Sequence, residues 1–311
     1  MAFVDLGLLL LGLILVAKSS ELAVKSLVKI AHVFGLSEFT ISFLVIGVAS
    51  VLPELSLGIT SALEGTPALG LGIIFGSNIA DLTIILGIVA IYAGGIKVES
   101  KSVSSNLPLL LLTALPVALI FDGELSRLDG AILLLAFLLH AGRLAREHGS
   151  LQKSIQHIKQ HRSDFFDQSV IAVASIGVLF LAAYLVSNVA IRISQTLAFP
   201  VVVVGVLIAL GTCLPELSFS IQSLRKNHPE LGLGDIVGNV ITDSTATLGV
   251  IALVQPIRGS ESALIAGGLM VAASVLAIIF MKTGARLSKR EGVILIGAYL
   301  AFLIAELSAI F

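Results

Sequence analysis

Charge is scarce in this chain. Of its 311 residues only 13% are Asp, Glu, Lys or Arg, and 19 basic against 20 acidic side chains leave a formal net charge of −1. Soluble domains ordinarily carry about a quarter charged residues, and no nucleic-acid partner is expected. Cysteine is scarcer still: the single Cys213 excludes an intrachain disulfide. The chain is instead apolar, 57% hydrophobic with a mean hydropathy of +1.06, the composition of an integral membrane protein.

A membrane-spanning helix takes about 20 largely apolar residues, and stretches of that kind lie near 3–30, 37–62, 68–93, 106–121, 126–146, 169–194, 199–224, 231–256, 262–281 and 289–310. The first has no basic leader and reads as a spanning helix, not a cleaved signal. Ten crossings put the connections near 25–38, 94–105, 142–168, 225–230 and 282–290 on one face, with Lys97, Lys101, Arg143, Arg225 and Arg290 among their many cations. The opposite face has only Arg127, Arg192 and Arg258. Lysine and arginine of short loops stay cytoplasmic, so both termini are expected outside the cell membrane.

The only substantial polar connection is 147–168, expected in the cytoplasm, which divides the chain into 1–146 and 169–311. His157 and His161 within it are four apart, but without a third ligand they read as part of a solvated linker.

The strongest pattern is a repeat. Val51-Leu52-Pro53-Glu54-Leu55-Ser56 returns 162 positions later as Cys213-Leu214-Pro215-Glu216-Leu217-Ser218. The same offset pairs Ser61 with Ser223, Gly70 with Gly232, Gly72 with Gly234, Gly76 with Gly238 and Asp81 with Asp243. Five crossings per half is an odd number, so the second half enters the membrane from the opposite side. The expected fold is an all-α membrane protein of ten transmembrane helices in two inverted-topology five-helix repeats, broken at a central site as in many secondary transporters.

Ionisable groups in lipid are costly and normally line an aqueous or ion-binding cavity. Pro53 and Pro215 have no N–H for the carbonyls of Ala49 and Gly211, so backbone oxygens are freed beside Glu54 and Glu216. Ser77 and Asp81 are four apart and share a helix face, as do Asn239 and Asp243, Ser50 and Glu54, and Thr212 and Glu216. Folded about a pseudo-two-fold axis, these residues form an all-oxygen cage suited to a hard cation such as Ca²⁺. No histidine lies near the four acids, and softer metals would favour one. Four adjacent carboxylates need protons or cations to balance them, and competition for the same oxygens gives exchange.

The paired Pro-Glu motifs, each with an acid 27 residues on in a Gly-rich helix, resemble the α-repeats of the calcium/cation antiporter superfamily, most closely its prokaryotic sodium/calcium exchanger branch. The resemblance rests on Ser50-Val51-Leu52-Pro53-Glu54 with Gly76-Ser77-Asn78-Ile79-Ala80-Asp81, and on Gly211-Thr212-Cys213-Leu214-Pro215-Glu216 with Gly238-Asn239-Val240-Ile241-Thr242-Asp243. It implies that Glu54 and Glu216 bridge Ca²⁺ with the backbone carbonyls of Ser50 and Thr212, that sodium sites flank this centre, and that the first and sixth helices slide to open the site to each side in turn. Ser77, Asn239, Asp81, Asp243, Gly47 and Ala209 complete the candidate ligand set. Where relatives commonly carry Gly-Thr-Ser-Leu-Pro-Glu, this chain has Ala49, Val51 and Cys213, and Asn239 replaces a usual serine. Asp81 stands where many sodium/calcium exchangers have asparagine, and an acid there suits potassium-dependent or proton-coupled relatives. The resemblance thus implies antiport of Ca²⁺ against Na⁺, with K⁺ or H⁺ as alternative counter-ions, no resident cofactor and no obligate protein partner.

Other classes have weaker support. Gly232-Leu233-Gly234-Asp235 resembles the GxGD motif of intramembrane aspartyl proteases, but no aspartate follows Tyr92, Tyr184 or Tyr299, and Asp235 is expected at the start of a helix, where the N-terminus favours its charge. A passive channel is the other alternative, less suited to single glutamates on broken helices. Lys18 and Glu21, three apart in the first helix, are expected to form a local ion pair.

Overall fold

The computed structural model describes residues 2–33, 50–98, 107–148, 162–225, 229–282 and 286–308. These residues are overwhelmingly helical. In chain order, the first half holds α1 (Ala2–Val33), α2 (Leu52–Leu63), α3 (Pro67–Ala80), a π-helical turn (Asp81–Ile85) and α4 (Leu86–Tyr92). There follow β1 (Ile96–Lys97), a short α5 (Ala114–Leu119) between two 3₁₀ turns, β2 (Glu124–Leu125) and α6 (Arg127–His148). The second half repeats the order: α7 (Arg162–Leu197), α8 (Val201–Thr212), α9 (Leu214–Arg225), α10 (Pro229–Thr242), a second π-helical turn (Asp243–Thr247), α11 (Leu248–Val254), β3 (Ile257–Arg258), α12 (Glu261–Lys282), β4 (Arg286–Leu287) and α13 (Lys289–Ser308).

Among the described residues, six helical spans are long and apolar enough to cross a membrane: Val4–Ile30, Pro67–Tyr92, Phe165–Leu197, Val201–Arg225, Leu231–Val254 and Glu261–Lys282. Large apolar side chains such as Leu138, Leu181 and Ile304 stand exposed on the outer surface, as a surface wetted by lipid requires. Three expectations from sequence need correction or qualification. The stretch 106–121 is not one helix: Leu107–Thr113 and Ile120–Asp122 are 3₁₀ turns around α5, and Pro108 and Pro116 each withhold an N–H from that segment. Both flanking helices extend into the 147–168 connection, α6 to His148 and α7 from Arg162. What remains of it, with His157 and His161, lies outside the described residues, as do Gly47, Ala49 and the start of the 37–62 stretch.

The 162-residue offset relates α3 to α10, one π-turn to the other and α4 to α11 without a residue of slippage, while the broken segment around α5 has a continuous α12 as its counterpart. The halves also exchange contacts. β1 pairs antiparallel with β4 (Ile96 with Leu287) and β2 with β3 (Leu125 with Ile257), so every strand partner comes from the other half. Equivalent capping boxes start α6 and α13: the Asp129 carboxylate accepts from Ser126 N and Oγ at 2.8 and 2.6 Å, and that of Glu291 from Ser288 N and Oγ at 2.7 Å each. A Cβ on Gly87 would meet the Gly292 carbonyl at 2.7 Å, and one on Gly249 the Gly130 carbonyl at 2.9 Å. Glycine at these places lets α4 approach α13, and α11 approach α6, across the two halves.

The strands mark two ends of the molecule. At one, Arg286 donates to the Gly94 carbonyl at 3.0 Å and Arg225 to the Tyr92 hydroxyl at 3.2 Å, which groups β4 and the end of α9 with the end of α4. At the other, Gly259 N donates to the Gly123 carbonyl at 2.8 Å. The first group is the cation-rich set that sequence placed on one face. α1 and α7 pack along each other to one side of this core, tied by Arg192 to Asp5 at 3.0 Å. Lys18 and Glu21 form the expected ion pair at 3.2 Å, which Lys25 extends at 2.6 Å.

Candidate cation site

The helix breaks put carboxylates in the interior. Backbone turns at Ser50–Val51 and Cys213 interrupt the two apolar runs just before Pro53 and Pro215, and each proline sits in the first turn of the following helix, where its missing N–H costs nothing. Glu54 and Glu216 follow immediately and are only 3% and 5% exposed; Asp81 and Asp243 open the two π-turns at 3% and 2%. A π-turn is a rare interruption of the i→i+4 ladder and recurs at functional sites. Here both interruptions begin on a buried aspartate.

The acids of the two halves lie within electrostatic reach of one another. Glu54 acts on Asp81, Glu216 and Asp243, and Asp81 on Glu216 and Asp243. Ser77 Oγ donates to Asp243 Oδ2 at 3.4 Å and Ser50 Oγ to Asn239 Oδ1 at 2.6 Å, both across the halves. The Thr212 hydroxyl stands beside the Glu54 carboxylate, and Cys213 Sγ donates to the Ser77 carbonyl at 3.7 Å and adjoins Asp81. Asn78, which carried no role in the sequence reading beyond its motif, bridges the halves too, donating to Ser244 Oγ at 2.9 Å.

Each of the four carboxylates keeps one buried oxygen without a hydrogen-bond partner: Glu54 Oε2, Glu216 Oε2, Asp81 Oδ1 and Asp243 Oδ1. Unpaired buried carboxylate oxygens are expensive, and a bound cation or proton would satisfy them. Among the described residues, however, no three His, Cys, Asp or Glu side chains converge tightly enough to hold one metal ion. The carboxylates surround a region instead of meeting at a point, so hydroxyl, amide and backbone oxygens would have to complete any coordination shell. The Ala209 carbonyl is already engaged twice, by Thr212 Oγ1 at 3.0 Å and Cys213 N at 3.1 Å.

Asp235 departs from expectation. It is the seventh residue of α10, which starts at Pro229, and so lies beyond the helix N-terminus. Its charge instead acts on Asp81 and Glu216. The missed signal was its position four residues before Asn239 and eight before Asp243 on the same face.

Comparison with known proteins agrees with this geometry. The family described as sodium/calcium exchanger protein matches residues 4–142 and 168–307. Similar curated proteins include the sodium/calcium exchanger MaX1 of Methanosarcina acetivorans, 27% identical over 98% of this chain and 99% of that protein, and the inner membrane protein YrbG of Escherichia coli K12, 29% identical over 80% of each. The putative antiporter CaxA of Alkalimonas amylolytica is 28% identical over 94% of this chain and 95% of its own. Among solved structures, the sodium-calcium exchanger NCX_Mj without Na⁺ and Ca²⁺ superposes with a TM-score of 0.65 at 26% identity, covering 99% of this chain and 100% of that one.

Proposed function

The chain belongs to the sodium/calcium exchanger protein family, a family of transporters and not of enzymes, and from that premise we propose that it is a secondary antiporter exchanging Ca²⁺ for Na⁺ across the cell membrane by alternating access. One observation carries this reading: Glu54 and Glu216, equivalent in the two halves, are buried at helix breaks with one unpartnered oxygen each. Ca²⁺ is a hard cation that accepts such oxygens together with backbone carbonyls in flexible geometry. In this reading the site comprises Glu54, Glu216, Asp81, Asp243, Ser77, Asn239, Gly47, Ala209 and the carbonyls of Ser50 and Thr212.

The transmembrane part is read as ten helices in two inverted five-helix halves, 1–146 and 169–311, joined by a cytoplasmic linker, with both termini outside. The 162-residue correspondence of elements and the exchange of strands between halves support it, and the cation-rich end fits the cytoplasmic face. The prominent apolar helices α1 and α7, set beside the core, suit a sliding gate.

A second reading keeps Ca²⁺ and changes the driving ion to H⁺ or K⁺. It is favoured by Val51 and Cys213, which remove two hydroxyls from the flanks, and by the acid at Asp81. Reconstituted vesicles loaded with one counter-ion at a time and given external Ca²⁺ tracer distinguish them. Na⁺-driven uptake alone is the expected result. Uptake driven by a proton or potassium gradient in the absence of Na⁺ selects the second reading, and uptake indifferent to every gradient would indicate a passive channel.

A further inference from the structure

α10 carries one acid that α3 lacks. Asp235 falls 162 positions after Ile73, which is fully buried, its backbone packed beneath Gly205 of α8. Asp235 is partly exposed. With Asn239 and Asp243 it forms an i, i+4, i+8 row on one face of α10, about 6 Å along the axis from the first and about 12 Å from the second. Those two side chains already reach across to the other half, Asn239 through Ser50 and Asp243 through Ser77. Among the described residues no hydrogen-bond or ion-pair partner meets the Asp235 carboxylate. The groups it does influence, Asp81 and Glu216, each hold a buried oxygen without a partner.

Position along the helix gives this row a direction. α10 starts at Pro229, six residues before Asp235, at the end of the molecule where Arg225 meets Tyr92. The row therefore runs from that cation-rich end toward the central carboxylates. An unpaired acid inside an apolar helix is costly, and a purely structural one would be expected to hold a hydroxyl, amide or cation, as Glu291 holds Ser288. A partly exposed carboxylate suits an ion that still keeps some of its water. The first half has the apolar Ile73 at the equivalent place, so no acid matches Asp235 there.

We propose that Asp235 is an accessory cation-binding residue that receives Ca²⁺ between the cation-rich end and the four central carboxylates, on that side of the protein only. The proposal rests on the exchanger reading above, and its test separates the two. Ca²⁺ uptake is measured in vesicles of known orientation, with Ca²⁺ presented first to the cation-rich end and then to the other. Wild type that exchanges from neither side overturns the exchanger reading itself. Given exchange, Asp235→Asn should raise the KM for Ca²⁺ about three- to tenfold from the cation-rich end, leaving the other KM and both maximal rates unchanged. Asp235→Glu should retain the wild-type KM. An equal KM change from both sides, no change from either, or a Glu variant behaving like the Asn variant overturns the proposal. Should Asp235→Asn not insert, Asp235→Ser is measured in its place, with the same one-sided rise in KM expected and an equal change from both sides refuting the assignment.

Discussion

Helices α3 and α10 are one design used twice, and the contrast between them separates what the site requires from what it tolerates. Both begin at a proline, carry three glycines at the same places and pass into a π-turn headed by a buried aspartate. They differ at three positions that matter: Ile73 against Asp235, Ser77 against Asn239, and Asn78 against Val240. What is shared is the acid and the backbone that aims it. What differs is neutral polar chemistry and one extra charge, the feature on which the proposed inequality of the two approaches rests.

If the shared acids are the site, the largest effects should come from them and should be alike in both halves. Glu54→Gln and Glu216→Gln are each expected to abolish Ca²⁺ uptake, a loss above about 100-fold, since removing one charge from a buried ionic contact costs about 2–5 kcal/mol or more. Tracer uptake in vesicles measures this, and substantial transport by either variant would break the equivalence of the halves.

The scaffold should be alike as well. Gly87→Ala would drive a Cβ against the Gly292 carbonyl, and Gly249→Ala one against the Gly130 carbonyl. Each is expected to destabilise the detergent-solubilised protein by about 1–3 kcal/mol, and the two thermal shifts should agree. Clearly unequal shifts would mean that the halves are packed differently despite their matching contacts.

The smallest effects should expose the asymmetry. Asp81→Asn and Asp243→Asn are expected to move half-saturation by the counter-ion about three- to tenfold, near 1 kcal/mol, with a lesser change in KM for Ca²⁺. Because Asp243 accepts from Ser77 while Asp81 adjoins Cys213, the two shifts should differ. Identical counter-ion profiles in wild type and both variants would remove these aspartates from the coupling.

Much of this could be read from the chain alone, for physical reasons. A proline next to a glutamate inside an apolar run is conspicuous because lipid penalises both, and its return after 162 positions exposed the repeat and all four central acids. The π-turns were not legible: Asp81-Leu82-Thr83-Ile84-Ile85 and Asp243-Ser244-Thr245-Ala246-Thr247 share little beyond Asp and Thr, and no residue pattern marks the extra residue per turn. Strands of two residues carry no alternation to detect, so the exchange of β1 and β3 between halves was invisible. Asp235 lies further into α10 than expected because Pro229, and not the apolar run beginning near 231, sets the helix start.

The crossed strands also govern how such a molecule comes into being. Ile96 finds its partner only in Leu287, most of the chain later, and at ribosomal speeds of about 5–20 residues per second the wait is on the order of tens of seconds. For much of that interval the nascent first half holds Glu54 and Asp81 in the bilayer without Glu216, Asp243 or a closed strand pair. Biogenesis therefore closes the two ends in turn, β2 with β3 first and β1 with β4 only after α12 has been made. Neither half is a finished object before that moment, and a chain cut short ahead of β4 would leave β1 unpaired.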